Sequence, residues 1–309
     1  MYSYAKVKLV FHYPACGGAL KIPLLNPEVC SQYNYGSLEE ADLGVWPVMW
    51  KEEDREAVWR YAADCRQFGK KMLLFVEEDH YTKFPLDNVI VLRTHLFRSS
   101  KEIYEYAFPG WCRDLVATHL QGKLMLRGKT ADLYPSIGFA GHVNSLEALY
   151  QQRLNAVLAV QQQPPLWANF VLRRHFHGDA RLQEQERKRR ELQFIENSLE
   201  SDYSLVVRGH GNWSIRLGEI LCLGKIPLFI DTDCVLPYDH VVDWKKYFLW
   251  VKESDLDRLG EIVYEYHSDI SAEEYVERQK VLRGLWQEWF SPQGYCKNLW
   301  RTIVPWLQG

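Results

Sequence analysis

The chain has 309 residues, of which 47% are hydrophobic and 25% are charged, and its formal net charge at pH 7 is −3. This composition is typical of a folded globular protein and excludes a wholly disordered chain. The near balance of charges excludes general attraction to nucleic acid or to an anionic membrane. Because the length exceeds that of a usual single domain, we expect two domains.

The N-terminal part of the sequence alternates between strand and helix patterns. We predict strands over residues 6–11, 43–49, 71–76 and 88–92, and a helix from the acidic residues 52–54 to about Phe68. A helical start is also predicted over residues 99–105, before the Pro109-Gly110 break. The alternation is typical of a parallel α/β domain.

A second group of elements follows Pro135. We predict a strand over residues 137–140, and helices over residues 146–160, 180–199 and 272–290, with a tryptophan-containing tail over residues 299–307. The polar, glycine-containing segment before Pro135 favours a domain boundary at residue 134.

Residues 203–233 predict a strand, a loop, a helix and a second strand. An apolar strand over residues 203–207 runs into the loop Arg208-Gly209-His210-Gly211-Asn212, and Ser214 stands at the cap position of a helix over residues 215–223. Gly224 ends this helix, and residues 226–230 form the next strand. This order indicates a parallel βαβ unit, whose loop and helix N-terminus form an anion site.

Five residues of this stretch are suited to bind a nucleoside diphosphate. Arg216 offers a bidentate fork to the pyrophosphate, or else pairs with Glu219 three residues later on the same helix face. Glu219 can accept hydrogen bonds from ribose hydroxyls. Ser214 binds phosphate, caps its helix, or does both. Gly209 and Gly211 allow close backbone approach, although an ordinary turn also uses glycine.

The ordered string R-G-x-G-N-x-S-x-R-x-x-E, followed by L-G-K-I-P-L-F-I-D-T-D, resembles the donor-binding region of the exostosin-like glycosyltransferases, glycosyltransferase family 47. The strong part covers residues 200–280, with weaker echoes at residues 93–99, 136–141 and 171–176. The resemblance implies the GT-B architecture, an α/β fold with two facing Rossmann-like domains and a cleft between them. The implied domains are an acceptor domain over residues 1–134, a donor domain over residues 135–285, and a helix over residues 286–309 that crosses back.

The resemblance implies an inverting glycosyltransferase that moves a sugar from a UDP-sugar to a glycan hydroxyl in polysaccharide or glycoconjugate synthesis. The competing hypothesis is a non-catalytic nucleotide-sugar-binding or partner subunit, because function depends on sites and not on folds. The residues assigned to donor binding are Arg208, Gly209, Gly211, Asn212, Ser214, Arg216, Glu219, Arg173 and Gly141. Arg173, beside Arg174 and His175, can equally be surface charge at a strand end.

A base for the acceptor hydroxyl is expected from the N-terminal domain. The cluster Glu77, Glu78 and Asp79 directly follows a predicted strand, at the end where α/β sheets place their sites. A solvated acidic turn explains the same pattern. The rival candidates are His12 and the pair His95 with Arg98.

We expect no metal and no cofactor besides the UDP-sugar substrate. Asp231-Thr232-Asp233 matches the Asp-x-Asp motif of metal-binding sites, but a motif of two aspartates does not by itself supply an octahedral ligand set. The seven cysteines show no C-x-x-C pair or metal-ligand spacing, and we expect reduced thiols.

The expected partners are a nucleotide-sugar donor and a glycan acceptor. We expect no nucleic-acid partner and no membrane span. A homodimer or a heterodimer is compatible with the family. The N-terminus lacks a signal-peptide pattern, which predicts a cytoplasmic protein, soluble or peripheral at the inner membrane. This departs from the Golgi-anchored family members and indicates a bacterial member or a trimmed one.

Overall fold

A computed structural model describes residues 9–14, 22, 24, 26, 28–131, 134–143, 150–174 and 182–307. The chain forms two compact units, and each has its own parallel β-sheet, so the predicted pair of α/β domains is confirmed. Unit 1 contains Met1–Gly110, Val235–Tyr238 and Glu288–Gly309, and unit 2 contains Trp111–Cys234 and Asp239–Gln287. This division differs from the predicted boundary, because it places residues 111–134 in unit 2.

Six described strands form the sheet of unit 1, in the order β2-β1-β3-β4-β5-β6, all parallel. They are β1 (Val10–His12), β2 (Asn34–Tyr35), β3 (Leu43–Val45), β4 (Lys71–Val76), β5 (Val89–Arg93) and β6 (Glu105–Ala107). The central strands β4 and β5 are almost continuous apolar runs because helices and loops cover both faces of a parallel sheet. Helix α1 (Arg55–Gln67) buries Val58, Tyr61, Ala62 and Cys65, the helical spacing that its sequence predicts.

Unit 2 has five described strands in the order β11-β10-β9-β7-β8, again all parallel. The strands are β7 (Ser136–His142), β8 (Trp167–Arg173), β9 (Tyr203–Val206), β10 (Pro227–Asp231) and β11 (Leu249–Lys252). The helices are α2 (Leu115–His119), α3 (Gln151–Gln162), α4 (Glu184–Glu200), α5 (Ile215–Cys222), α6 (Leu259–Asp269) and α7 (Ala272–Leu285). No helix in the described ranges is long and apolar enough to cross a membrane.

The C-terminal segment belongs to unit 1. After a π-helical turn at Trp286–Phe290 it forms α8 (Pro292–Asn298) and α9 (Trp300–Ile303). Cys296 of α8 is disulfide-bonded to Cys30, with 5.9 Å between their Cα atoms. The prediction of reduced thiols is therefore wrong for this pair, which no spacing rule could find because 266 residues separate the two cysteines. Cys65, Cys112, Cys222 and Cys234 are free and buried.

The helical start predicted at residues 99–105 is also wrong. The chain turns after Phe97 and then enters the edge strand β6 at Glu105. Glu105 and Arg93 are each 1% exposed and form an ion pair of 3.3 Å across β5 and β6. A charge of this kind is costly to bury without its partner, so the pair fixes Glu105 beside β5 in strand conformation.

Candidate functional site

The predicted βαβ unit is present in unit 2. Strands β9 and β10 are parallel neighbours, with Leu205 paired to Leu228 and Val206 to Phe229, and α5 connects them. Ser214 is the N-cap residue of α5 with extended backbone, as predicted, but its hydroxyl makes no capping hydrogen bond. The N-terminus of α5 therefore has no side-chain cap from Ser214, and its positive dipole end is suited to an anion.

Arg216 and Glu219 form an ion pair on the first turns of α5. Arg216 Nη1 donates to Glu219 Oε2 at 2.5 Å, and both side chains are less than one-fifth exposed. The Arg216 guanidinium also lies 4.1 Å from the centre of the Phe194 ring. The ion pair between Arg216 and Glu219, which the sequence analysis gave as the alternative to phosphate binding, is therefore formed. It fixes both side chains in place before any ligand binds.

Arg173 at the end of β8 adds a second partly buried cation. Its Nη2 donates to the Arg190 carbonyl at 2.9 Å, while its Nη1 is buried without a hydrogen-bond partner among the described residues. Burial, and next the charge of Arg216, lower the pKa of Arg173 to about 10. Since Arg173 is still protonated at neutral pH, two mutually repelling guanidiniums stand in the region of the predicted phosphate site, which favours an anion.

The carboxyl ends of the unit 2 strands are connected by an arginine that sequence reasoning missed. Arg153 of α3 donates from Nε to the Arg208 carbonyl at 3.1 Å and from Nη1 to the His142 carbonyl at 3.0 Å. A Cβ at Gly209 would lie 3.1 Å from Arg153 Nη2, so a side chain there would crowd the guanidinium. The available signal was helical spacing, because Arg153 precedes buried Ala156 and Val157 by three and four residues.

Three donor-site predictions have packing explanations in the structure. Gly141 lies inside β7, where an added Cβ would come within 2.7 Å of the Phe139 ring. Asn212 is fully buried, and its Oδ1 accepts from the Thr232 hydroxyl at 2.7 Å, which ties the donor loop to the end of β10. Gly211 is also buried. Gly211 and Asn212 shape the loop, and Gly141 keeps β7 closely packed. The partly exposed members of the predicted set are Arg173, Arg208, Gly209, Ser214, Arg216 and Glu219.

The Asp231-Thr232-Asp233 segment forms a turn at the end of β10. The Asp233 amide donates to Asp231 Oδ1 at 3.1 Å, and Asp233 has a φ of 64°. Asparagine and aspartate tolerate this left-handed conformation in turns of this kind. No group of three or more His, Cys, Asp or Glu side chains within the described residues is arranged to hold a metal ion.

In unit 1, Glu78 differs from its two acidic neighbours. Its side chain is 10% exposed and lies 3.4 Å from the His80 ring nitrogen, whereas Glu77 and Asp79 are exposed residues. The Oε2 atom of Glu78 is buried and has no hydrogen-bond partner among the described residues. Burial raises the pKa of Glu78 above the usual carboxyl range, which makes the ionised form a stronger base, and burial raises the pKa of Glu77 as well. Exposure and the unpartnered Oε2 atom therefore distinguish Glu78 from Glu77, and the pKa does not.

A buried network holds the loop that carries Glu78. Arg93 Nη2 donates to the Thr82 carbonyl at 2.6 Å, and its guanidinium lies 4.3 Å from the Tyr81 ring centre. The Tyr81 hydroxyl contacts both carboxyl oxygens of Glu105, at 3.1 and 3.0 Å. The acidic loop is therefore anchored at both Tyr81 and Thr82 by the Arg93–Glu105 pair.

The rival bases have structural contacts. His12 ends β1, and its Nδ1 lies 2.8 Å from the Tyr61 hydroxyl, while burial lowers the pKa of the imidazole. His95 is buried and packs edge-on against Phe97 at 5.2 Å, and Arg98 is exposed. His175 lies outside the described residues. Compared with His12 and His95, Glu78 has a carboxylate that is only slightly exposed, a carboxyl oxygen without a partner among the described residues, and a raised pKa.

Part of the sequence, mostly in unit 2, matches one known family model. A model of the exostosin GT47 domain matches residues 138–266. A Physcomitrium patens protein named "Probable glucuronosyltransferase 47 A" is 33% identical over 89 residues, which are 29% of this chain and 19% of that protein. Exostosin-1 of Drosophila melanogaster is 32% identical over 90 residues, 29% of this chain and 11% of the fly protein. The chain thus matches about a fifth or less of the length of these relatives.

A rice protein (Oryza sativa subsp. japonica) named as a probable glucuronosyltransferase is 29% identical over 89 residues, 29% of this chain and 20% of its own length. Among solved structures, the crystal structure of TarM has a TM-score of 0.37 and 9% identity, and covers 75% of this chain and 54% of TarM.

Proposed function

We infer that this chain is an exostosin-like glycosyltransferase of family 47, and that it transfers a sugar from a UDP-sugar to a hydroxyl of a glycan. The observation that carries the inference is the pair of partly buried guanidiniums at the donor motif. Arg173 has a buried Nη1 without a described partner, and Arg216 is held on the first turn of α5. A pyrophosphate satisfies both and accepts from the first-turn amides of α5.

Glu219 then has the role of binding the ribose. Its Oε2 accepts from Arg216, and a carboxylate has four lone-pair positions, so it can also accept from ribose hydroxyls. Through this pair, phosphate binding and ribose binding are coupled. A nucleoside diphosphate that lacks the ribose hydroxyls should therefore bind more weakly than UDP.

For the donor sugar we propose glucuronate as the first candidate. The proposal is supported by the names of the matched moss and rice proteins, which describe glucuronosyltransferases. No residue of the described chain identifies the sugar by itself. UDP-glucuronate is therefore the first donor to test, with UDP-glucose as the matched neutral donor.

The chemical step that we propose is a single displacement with inversion. The acceptor oxygen forms a bond to the anomeric carbon, the bond from that carbon to the diphosphate breaks, and UDP leaves with the electron pair. The acceptor proton passes to a base, for which we propose Glu78. A carboxylate with a raised pKa lies closer to the operating pH and is a more effective general base.

We also propose that the reaction needs no divalent metal. Asp231 and Asp233 form the turn that ends β10, which supports a structural role for this Asp-x-Asp motif. Arginines and a helix N-terminus, in place of a metal ion, would neutralise the diphosphate. The GT-B arrangement of the two units, a cytoplasmic location, a bacterial origin and dimerisation stay predictions.

The test is sugar transfer measured by UDP release, with UDP-glucuronate or UDP-glucose and a mixture of oligosaccharide acceptors, in the presence and absence of EDTA. We expect acceptor-dependent release with one donor and equal rates with EDTA. Loss of activity in EDTA that manganese restores would overturn the metal-free proposal. UDP binding without any acceptor-dependent release would favour the non-catalytic subunit.

A further inference from the structure

A groove lies at the amino ends of the strands of the unit 2 sheet, whereas the donor motif lies at their carboxyl ends. It is bounded by residues at the amino ends of the strands: Ser136 begins β7, Trp167 begins β8, and Asp202 directly precedes β9. Ser136 and Trp167 are paired neighbours in the parallel register. Because all strands of this sheet are parallel, the groove and the donor loop are at opposite strand ends.

Two exposed aromatic rings form part of this groove. All twelve tryptophans lie in the described part of the chain, and among them Trp167 alone has an exposed side chain, with 67% exposure. Tyr134 is 57% exposed. Large aromatic side chains in water forgo the burial that usually stabilises them, so exposed rings within one concave surface indicate a ligand surface.

The floor of the groove is polar and fixed. Asp202 is 2% exposed, and its Oδ2 accepts from the Ser136 hydroxyl at 2.6 Å and from the Ser136 amide at 2.8 Å. Its Oδ1 accepts from Arg127 Nε at 3.0 Å. The Asn169 amide donates to the Ser201 hydroxyl at 3.0 Å. Hydroxyl, amide and carboxylate groups of this kind match the donors and acceptors of sugar hydroxyls.

The segment that carries Arg127 is held by buried side chains. Gln279 accepts from the Arg127 amide at 3.0 Å and donates to the Arg127 carbonyl at 2.7 Å. Lys225, which is 3% exposed, donates to the Met125 carbonyl at 3.1 Å. The groove wall is therefore organised before a ligand arrives, which lowers the entropy cost of binding.

We propose that this groove, about 1050 Å³ in volume, is a carbohydrate-binding site for a chain of pyranoses. The flat C–H face of a pyranose stacks on Trp167 or Tyr134, and the sugar hydroxyls meet Asn169, Glu200 and Arg127, which line the groove. Glu200 and Asp202 outnumber Arg127 in charge along the groove, which disfavours a nucleotide or another phosphate. A role in holding the acceptor polymer rests on the proposed glycosyltransferase function; binding itself does not.

The test is calorimetric titration of the full chain with cellohexaose, xylohexaose and chitohexaose. We expect at least one hexasaccharide to bind, and Trp167→Ala to weaken that binding about tenfold, the loss of one aromatic stack. Trp167→Phe should retain most of the affinity. The matched control is Tyr264→Ala, an exposed aromatic of the same unit outside the groove, which should bind as the unsubstituted chain does.

UDP titration of the same variants separates this proposal from the donor site. We expect Trp167→Ala to bind UDP normally, since the donor motif is at the other strand ends. If none of the three hexasaccharides binds, or if Trp167→Ala binds them unchanged, the groove is not a carbohydrate site. Hexasaccharide binding in a chain that transfers no sugar would retain the groove and reject the proposed catalytic function.

Discussion

The carboxyl ends of the two sheets carry opposite chemistry. In unit 2, cationic side chains gather at the donor loop, and Arg216 is already neutralised in part by Glu219. In unit 1, the loop after β4 carries Glu78, which is nearly buried and has a carboxyl oxygen without a described partner. The donor region is therefore suited to bind an anion, whereas the acidic loop holds a carboxylate with an elevated proton affinity.

The largest expected effect concerns this acidic loop. Glu78→Gln should lower the rate of sugar transfer about 10²–10⁴-fold, the usual loss of a general base, with normal UDP affinity. Asp79→Asn is the matched control and should retain a near-normal rate, because Asp79 is exposed. If Glu78→Gln keeps near-normal turnover, the proton goes elsewhere, and His12 and His95 are the next candidates.

The anchoring of that loop predicts a large effect on stability. Arg93→Met leaves Glu105 buried without its cation and should lower the free energy of unfolding by about 3–5 kcal/mol. The double variant Arg93→Met with Glu105→Leu should recover most of this loss, because no buried charge remains. Urea denaturation measures both values. A single variant as stable as the unsubstituted chain would show that the pair does not anchor unit 1.

At the donor loop, Arg216→Ala should raise the Kd for UDP about 10–100-fold, since one charge-assisted bidentate contact is lost. Glu219→Gln should weaken UDP binding by a similar or smaller factor, because it removes both the acceptor for the ribose hydroxyls and the charged partner of Arg216. Arg189→Ala is the control, since Arg189 is an exposed arginine paired within α4. Equal UDP affinities of Arg216→Ala and Arg189→Ala would remove Arg216 from the site.

The smallest expected effect is the pH dependence of stability at Glu78. Burial raises the pKa of this carboxyl in the folded state, so the native protein binds the proton more tightly than the unfolded chain does. Unfolding free energy should therefore fall as pH rises from the ordinary carboxyl pKa through the raised one. Glu78→Gln should be the more stable form above this window, and the difference should vanish in acid. Parallel curves for both proteins would contradict the raised pKa.

The sequence predicts the donor unit well because its signals are local. The apolar strand, the loop glycines, the cap position and the helix-ending Gly224 are contiguous, and β9, α5 and β10 begin and end within one residue or so of the predicted bounds. The role of Ser214 could not be read to the same depth, because the hydroxyl of a cap residue can turn away from its helix.

The sequence fails where a long-range contact decides the structure. Glu105 enters a strand because Arg93 needs a buried partner. Cys30 meets Cys296 from the other end of the chain. Arg153 reaches the donor loop across 55 residues, and nothing in its local sequence differs from an ordinary helix surface apart from the spacing to two buried residues. Contacts of this kind become visible once the sheets are assembled.

The measurement that tests the donor site most directly is hydrogen exchange of the chain with and without saturating UDP. We expect slower exchange over residues 208–223, because the diphosphate accepts from amides at the start of α5 and orders the loop before it. The groove segment at residues 123–131 should be unchanged. Protection confined to unit 1, or none at residues 208–223 with UDP bound, would contradict the placement of the donor.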